Sequence, residues 1–250
     1  MLELRDVQVV FDGFRALGGV DLSVPEGELR FLIGPNGAGK TTLIDVITGL
    51  TKPAAGTVRF AGHDLAGKKE HQIVRLGVGR TFQTSVVFEE LTVIENLDLA
   101  ASFRKPLWSL ARQRKGVSEA VEEALARTGL EELAERSAGV LSHGQRQWLE
   151  IGMLLAQRPR LLLLDEPVAG MSSDERERTG ELLTEIADDH TVIVVEHDME
   201  FLRRHASKVT VLHEGKVLVE GSVDQVSADP RVQEVYLGRR PSDAAVGERS

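Results

Sequence analysis

Hydrophobic and polar positions divide the chain into stretches with different periods. Near the N-terminus, short apolar or alternating runs are separated by Gly and Pro, which predicts β-strands at Val7–Phe11, Val20–Val24 and Leu29–Ile33. From about Leu91 to Leu133 the period becomes helical and the charges are mixed. We therefore expect a β-rich N-terminal part followed by an inserted helical part.

The second half alternates between strand-sized apolar runs and helical stretches. The runs Leu161–Leu164 and Val192–Val195 predict buried strands, and helical patterns follow them at Asp174–Ala187 and Met199–His205. This alternation is typical of an α/β protein with a parallel sheet.

The C-terminal part predicts a hairpin and then a tail. Two short runs, Val209–Leu212 and Lys216–Glu220, flank the dipeptide Glu214-Gly215, which favours a tight turn. The residues from Arg239 to Ser250 are small and polar, so we expect them to be disordered.

Composition narrows the classes of function. The 250 residues include 30 Lys and Arg against 39 Asp and Glu, a net charge of −9, whereas a general nucleic-acid binder needs a basic surface. The chain has no Cys, which excludes disulfides, thiolate metal sites and Cys nucleophiles. No apolar run approaches the roughly 18–20 residues that span a bilayer, and no secretion signal is evident. We expect a cytoplasmic protein that does not bind nucleic acid.

A phosphate-binding motif follows the third predicted strand. The segment Gly34-Pro35-Asn36-Gly37-Ala38-Gly39-Lys40-Thr41 fits G-x-x-x-x-G-K-[ST], and a helical run, Thr42–Leu50, comes directly after it. Glycines let backbone N–H groups converge on phosphate oxygens, and the helix N-terminus adds partial positive charge. Lys40 is expected to reach the β- and γ-phosphates, and the Thr41 hydroxyl to bind Mg²⁺. The motif predicts a nucleoside triphosphate site.

A second motif supplies carboxylates. Asp165 and Glu166 follow the apolar run Leu161–Leu164, at the end of a strand where α/β sheets bind their ligands. We predict that Asp165 faces Mg²⁺ and that Glu166, as general base, polarises the water that attacks the γ-phosphate.

The segment Leu141-Ser142-His143-Gly144-Gln145 lies between these motifs. Ser142 is suited to cap the following helix, and Gly144 permits close approach of the backbone. Together the three motifs resemble those of the ATP-binding-cassette (ABC) ATPases. The resemblance covers nearly the whole chain, up to about Gly238. The resemblance implies an α/β P-loop NTPase fold with an N-terminal antiparallel β subdomain, a parallel-sheet core and an inserted α-helical subdomain at about 85–140. It implies one domain over 1–238 and a tail at 239–250.

The resemblance also implies roles for further residues. Gln83 matches the glutamine that senses Mg²⁺ and water, His197 the histidine that contacts the γ-phosphate, and Phe11 the aromatic that stacks on adenine, with Phe14 as its competitor. The implied catalytic residues are Glu166, His197 and Gln83, and the implied Mg²⁺ ligands are Thr41, Gln83 and Asp165. The implied nucleotide-binding residues are Phe11, Gly34, Pro35, Asn36, Gly37, Ala38, Gly39, Lys40, Thr41, Thr42, Ser142, Gly144 and Gln145.

Two positions depart from the family pattern. Ser172 stands where many members have Asp, which removes a charge-assisted contact between two cassettes. His143 replaces a commoner small residue, and its imidazole is equally compatible with facing the nucleotide or the solvent.

Other segments are similar to one transport group. Gly79-Arg80-Thr81-Phe82-Gln83, the end Ala228–Gly238 and the single-cassette length look like ATPases of branched-chain amino acid and amide importers. The stretches Phe11–Leu17, Leu141–Met153 and Glu166–Met171 are most similar to an ATPase subunit of urea importers. A branched-chain amino acid importer and a lipopolysaccharide-type exporter are alternatives, as is a soluble ABC ATPase outside transport.

The resemblance implies the partners as well. Two cassettes, identical or different, would bind two ATP and two Mg²⁺ at a shared interface. They would drive integral-membrane subunits from the cytoplasmic face of the plasma (inner) membrane, and a substrate-binding protein would act indirectly.

Overall fold

Two sheets organise the chain in a computed structural model that describes residues 1–81, 87–102 and 116–237. The first sheet consists of β1 (Leu2–Phe11), β2 (Phe14–Val24), β4 (Ala55–Phe60) and β5 (His63–Asp64). The strands are antiparallel, in the order β2-β1-β4-β5. Strands β1 and β2 are longer than predicted because their pairing contains register shifts, which break the alternation of apolar and polar residues.

The second sheet forms the core. Its described strands are β3 (Leu29–Ile33), β6 (Val78–Arg80), β7 (Leu161–Asp165), β8 (Thr191–Val195), β9 (Lys208–His213) and β10 (Lys216–Gly221). Their order is β10-β9-β3-β8-β7-β6, and every neighbouring pair is parallel except the β9–β10 hairpin. The structure thus contains the predicted parallel core and the predicted hairpin.

Helices cover the core sheet and form the inserted segment. In the described residues they are α1 (Lys40–Thr48), α2 (Glu70–Leu76), α3 (Val93–Ser102), α4 (Glu119–Thr128), α5 (His143–Leu155), α6 (Ser173–Ala187), α7 (Met199–His205), α8 (Val223–Ala228) and α9 (Pro230–Leu237). Helices α3, α4 and α5 pack against one another. Helices α3 and α4 lie within the segment predicted as the helical insertion, and α5 lies beyond its predicted end. In the described ranges, no helix has the length and apolar character needed to cross a membrane.

Strand β7 explains why the core strands read as continuous apolar runs. Leu162 and Leu164 pack into one hydrophobic cluster with the helical segment, whereas Leu161 and Leu163 pack into another with α1 and the antiparallel sheet. Because both faces of the sheet are covered, successive side chains are all buried. Polar side chains can reach solvent only where such a strand ends.

The Arg30 guanidinium is buried inside this fold. The Arg30 side chain, on β3, donates hydrogen bonds to Glu28 at 2.5 Å, to Thr210 at 2.7 Å, to the carbonyl oxygen of Ser23 at 3.2 Å and to Glu220. Arg30 is fully buried. Its guanidinium therefore joins β2, β9 and β10 around β3.

Replacing Arg30 by Met should destabilise the protein, because Glu220 and the largely buried Glu28 would then lose their hydrogen bonds to the buried guanidinium. We expect a loss of about 3–5 kcal/mol in the free energy of unfolding, measured by urea denaturation. Arg5→Met is the control, because the Arg5–Glu3 ion pair is exposed and contributes little. Equal losses in the two variants would contradict this account of Arg30.

Candidate active site

A glycine-rich loop, residues 34–39, joins β3 to α1. Gly34, Gly37 and Gly39 have φ angles of 154°, 79° and 102°, which L side chains rarely adopt. The first residue of α1, Lys40, donates hydrogen bonds from Nζ to the carbonyl oxygens of Gly34 at 2.6 Å and Pro35 at 3.1 Å. The ammonium group therefore lies over the loop, beside the first turn of the helix.

The first turn of α1 is suited to an anion. Gly39 offers no side chain to cap the helix, and no acidic residue occupies the turn. Its free N–H groups and the helix dipole both favour negative charge. Burial lowers the pKa of Lys40, although Glu166 and Asp165 act to raise it. The remaining predicted loop residues differ in exposure: Asn36, Gly37 and Thr41 are exposed, Pro35 and Thr42 are half-buried, and Ala38 is buried.

Close packing holds the ends of the loop. A Cβ atom added at Gly34 would lie 2.3 Å from the carbonyl oxygen of Leu212 in β9. One added at Gly39 would lie 2.9 Å from the carbonyl oxygen of Ala16 in β2. At Gly37 no atom lies within 4 Å of that position. The loop is therefore wedged between neighbouring strands at both ends and is open at its crest.

Asp165 ends β7 as a buried carboxylate. Its side chain is 5% exposed, and its Oδ2 lies 3.7 Å from Nη2 of Arg80 on β6. That oxygen has no hydrogen-bond partner among the described residues. Burial raises the pKa of Asp165, and the Arg80 charge acts to lower it. Nη1 of Arg80 donates a hydrogen bond to Oδ1 of Asp45 on α1 at 2.5 Å. A buried carboxylate oxygen that accepts no hydrogen bond fits a cation.

Glu166 and His197 form an exposed pair beside it. Glu166 has a φ of 51°, an uncommon conformation for a residue other than glycine. Its N–H donates to the carbonyl oxygen of Val195 at 2.9 Å, which holds the loop after β7 against the end of β8. His197 Nδ1 lies 3.5 Å from Glu166 Oε1, and the side chains are 65% and 45% exposed. A carboxylate and an imidazole thus share the edge where Asp165 is buried.

The predicted Ser142 cap is present at the start of α5. The Ser142 hydroxyl accepts the Gln145 N–H at 3.2 Å, and the Gln145 side chain accepts the Ser142 N–H at 2.9 Å. A Cβ atom added at Gly144 would lie 2.4 Å from Oε1 of Glu175 on α6. The missing side chain at Gly144 thus lets the starts of α5 and α6 lie side by side.

His143 has a partner that the sequence did not reveal. Its Nε2 lies 2.9 Å from the carbonyl oxygen of Ala169, in the loop between β7 and α6. Ser172 ends that loop and caps α6, and it forms a capping box with Glu175. The segment at Ser142 is therefore joined to the loop that follows Glu166.

The two candidate aromatics lie together. Phe11 ends β1 and Phe14 begins β2, and they face each other across the turn at Asp12 and Gly13. Both are exposed, Phe11 by 48% and Phe14 by 67%. Exposure therefore leaves both of them available for stacking on a base.

The structure brings together one part of the predicted site. The charges of Lys40, Asp165 and Glu166 act on one another, and His197 lies beside Glu166. Among the described residues, no hydrogen bond or ion pair joins Ser142 or Gln145 to this group. Gln83 lies outside the described residues, as does the predicted tail at 239–250.

A comparison with protein families decides what this arrangement belongs to. A model of the family described as "ABC transporter" matches residues 17–169, which include the glycine-rich loop, Ser142 and the Asp165–Glu166 pair. The chain belongs to the ABC transporter ATPases. The cassette is thus an enzyme that hydrolyses ATP to energise transport. A second model, "Branched-chain amino acid ATP-binding cassette transporter", matches residues 216–241.

Curated relatives cover nearly the whole cassette. The high-affinity branched-chain amino acid transport ATP-binding protein BraF of Pseudomonas aeruginosa is 37% identical over 95% of this chain and 98% of its own length. The corresponding protein LivG of Escherichia coli is 36% identical over the same shares.

Solved structures confirm the predicted fold class. An ATP-binding cassette of an ABC transporter, crystallised in its ADP conformation, superposes with a TM-score of 0.84 at 33% identity, over 96% of this chain and 99% of that one. A dimeric bacterial ABC transporter cassette gives 0.75 at 28% identity, over 89% and 99%. The antiparallel subdomain and the largely parallel core sheet are thus those of a P-loop cassette.

The site contains three charged residues to which the sequence pattern assigns no role. They are Arg80, Asp45 and Glu196. A lone charge beside or inside an apolar segment is the signal they share. Which partner each charge meets depends on strand order, which the sequence does not give directly.

Substituting the glycines should test the wedge at the loop. Gly37→Ala has room for its methyl group and should cost only the strain of a positive φ, about 1–2 kcal/mol. Gly34→Ala must also displace the Leu212 carbonyl, which should cost about 1–3 kcal/mol more. Thermal unfolding without nucleotide would measure both losses of stability. If the Tm of Gly34→Ala were at least as high as that of Gly37→Ala, close packing at Gly34 would be refuted.

Proposed function

We propose that the cassette binds MgATP at this edge of the core sheet, hydrolyses it, and thereby energises an importer for branched-chain amino acids. One observation carries the catalytic part of the proposal. The N-terminus of α1 has neither a capping side chain nor an acidic residue, and Lys40 lies there, close enough to the buried carboxylate of Asp165 for their charges to interact. The exposed pair of Glu166 and His197 lies beside them. Such a set can hold a triphosphate and activate a water that attacks its terminal phosphorus.

The loop residues bind the triphosphate in this proposal. Backbone N–H groups of Gly37, Gly39, Lys40, Thr41 and Thr42 donate to its oxygens, and the Lys40 ammonium exchanges its two carbonyl partners for β- and γ-phosphate oxygens. The proposed stacking partner of the adenine is Phe11, with Phe14 as the alternative. The exposed crest at Asn36 and Gly37 leaves this side of the loop accessible.

The residues beside the loop fit Mg²⁺. Asp165 has a buried oxygen without a hydrogen-bond partner, and Mg²⁺ prefers one or two protein oxygens together with phosphates and water. Thr41 and Asp165 would hold the ion, with Gln83 as a further predicted ligand. When bound, the ion neutralises charge on the phosphate oxygens.

Glu166 and His197 act on the water and the terminal phosphate. Glu166 accepts the proton of a water that attacks the γ-phosphorus, and the bond to the β–γ bridging oxygen breaks to give ADP and phosphate. His197 Nδ1 faces Glu166, which leaves Nε2 to contact a γ-phosphate oxygen. Exposure of both groups admits the water.

A second cassette completes the site in this proposal. Ser142, Gly144 and Gln145 start a helix, and among the described residues no hydrogen bond joins them to the glycine-rich loop of their own chain, so we assign them to the ATP of another cassette. The dimeric cassette of similar fold supports this arrangement. The partner is a second copy or a related chain, and the pair acts on integral-membrane subunits at the cytoplasmic face.

The relatives favour amino acids over urea as the transported substrate. BraF and LivG are named as branched-chain amino acid transport proteins, and the C-terminal family match points the same way. The sequence resemblance to urea importers has no support from these relatives. We therefore adopt the amino acid alternative, and a substrate-binding protein would deliver the amino acid to the membrane subunits.

Glu166→Gln should abolish turnover and preserve ATP binding, because the amide cannot accept the proton. We expect ATP hydrolysis to fall by about 100-fold or more. With ATP, size-exclusion chromatography should show a stable dimer. Glu123→Gln alters a carboxylate on α4 and should hydrolyse ATP like the parent. Parent-like hydrolysis by Glu166→Gln would disprove the proposed base.

Deleting the gene for this cassette in its source cells tests the transport role. Uptake of labelled leucine, isoleucine and valine should fall, and uptake of labelled urea should not. Complementation with the parent should restore uptake, and complementation with Glu166→Gln should not. Loss of urea uptake alone would return the assignment to the urea importers. Unchanged uptake of all four compounds would remove the transport proposal and leave the ATPase in place.

A further inference from the structure

A buried carboxylate lies behind the exposed pair. Glu196 directly follows β8 and is 1% exposed. Its Oε1 accepts the N–H of Val168 at 3.3 Å, and its Oε2 accepts the N–H of His197 at 3.0 Å. The backbone of Asp198 is a third donor to the same carboxylate. One side chain thus accepts from the loops that follow two different strands.

These two loops carry the exposed pair. Val168 lies two residues after Glu166, and His197 is itself a donor to Glu196. Glu166 Oε1 and His197 Nδ1 are 3.5 Å apart on the outer side of the same loops. The N–H of Glu196 also donates to the carbonyl oxygen of Leu32, near the end of β3. Glu196 is therefore hydrogen-bonded to residues at or just beyond the ends of β3, β7 and β8, the three strands that build the site.

The buried carboxylate of Glu196 is compensated by backbone hydrogen bonds. A buried carboxylate is costly to desolvate unless hydrogen bonds and charges compensate it. Among the described residues, no Arg or Lys forms an ion pair with Glu196, and backbone N–H groups are its hydrogen-bond donors. Burial raises the pKa of this carboxyl, and the N–H donors act to lower it. A carboxylate has two acceptor oxygens, so it can hold two loops at a fixed separation.

We infer that Glu196 is a positioning residue. Its buried carboxylate ties the loop of Glu166 to the loop of His197 and thereby sets the geometry of the two groups at the γ-phosphate. The inference rests on the proposed roles of Glu166 and His197. Glu196 itself touches neither water nor phosphate in this arrangement. It should therefore affect turnover more than nucleotide affinity.

Glu196→Gln tests this inference with little change in volume. The amide has one acceptor oxygen, so its NH₂ group would face a backbone N–H and one loop would lose its acceptor. Displacing a reacting group by about 1 Å can cost up to about 100-fold, so we expect kcat to fall by about 10-fold to 100-fold. The Kd of a non-hydrolysable ATP analogue should change by less than about 3-fold, because the loop that binds phosphate is untouched.

Two further readouts separate positioning from general destabilisation. Amide hydrogen exchange at Val168 and His197 should speed up in Glu196→Gln without nucleotide. Glu28→Gln is the matched control, because this largely buried carboxylate belongs to the Arg30 group. It should lower stability and leave kcat unchanged when kcat is normalised to protein that binds nucleotide.

Several results would overturn the inference. They are a parent-like kcat in Glu196→Gln, unchanged exchange at both amides, or a fall in kcat that Glu28→Gln reproduces. If Glu196→Gln does not fold, Glu196→Asp keeps the charge but is one methylene shorter, and the same criteria apply to it. Glu166→Gln is measured alongside. Parent-like activity there refutes the proposed function, whereas an inactive Glu166→Gln with a parent-like Glu196→Gln refutes only the positioning role.

Discussion

The aligned carboxyl ends of three parallel strands are the constraint on which the site depends. Strand β3 pairs with β8, and β8 with β7, so that Val195 lies level with both Leu32 and Asp165. All three strands are covered on both faces, so apart from Arg30 their charged side chains lie at or beyond the strand ends. The glycine-rich loop and the loops after β7 and β8 therefore leave the sheet at one level. Residues distant in sequence meet there.

The charged residues at that edge of the sheet differ in how deeply they are buried. Arg80 lies between Asp45 and Asp165; the side chains of Arg80 and Asp165 are largely buried, whereas that of Asp45 is partly exposed. Glu166 and His197 lie outside, where water can approach. This difference in burial gives two neighbouring carboxylates, Asp165 and Glu166, different surroundings and so different chemistry.

Much of the fold and part of the site could be predicted from the sequence. The glycine-rich motif, the apolar run ending at Asp165 and the Ser142 segment are local patterns, and each indicates its own strand, loop or helix start. The longer β1 and β2 were only partly predicted, because their register shifts interrupt the alternation. The resemblance supplied the family correctly, but its finer indication of urea rested on stretches that contact no transported substrate.

The sequence by itself determined several of the strands and helices, the glycine-rich loop and the carboxylates at the end of β7, because each depends on neighbouring residues. Only the tertiary structure decided which charges meet. Arg80 reaches Asp45 and Asp165, His143 reaches Ala169, and Glu196 spans two loops. These contacts depend on which strands and helices become neighbours. The pairing of strands and helices is decided by the requirement that all apolar faces be buried together. No local sequence pattern predicts it.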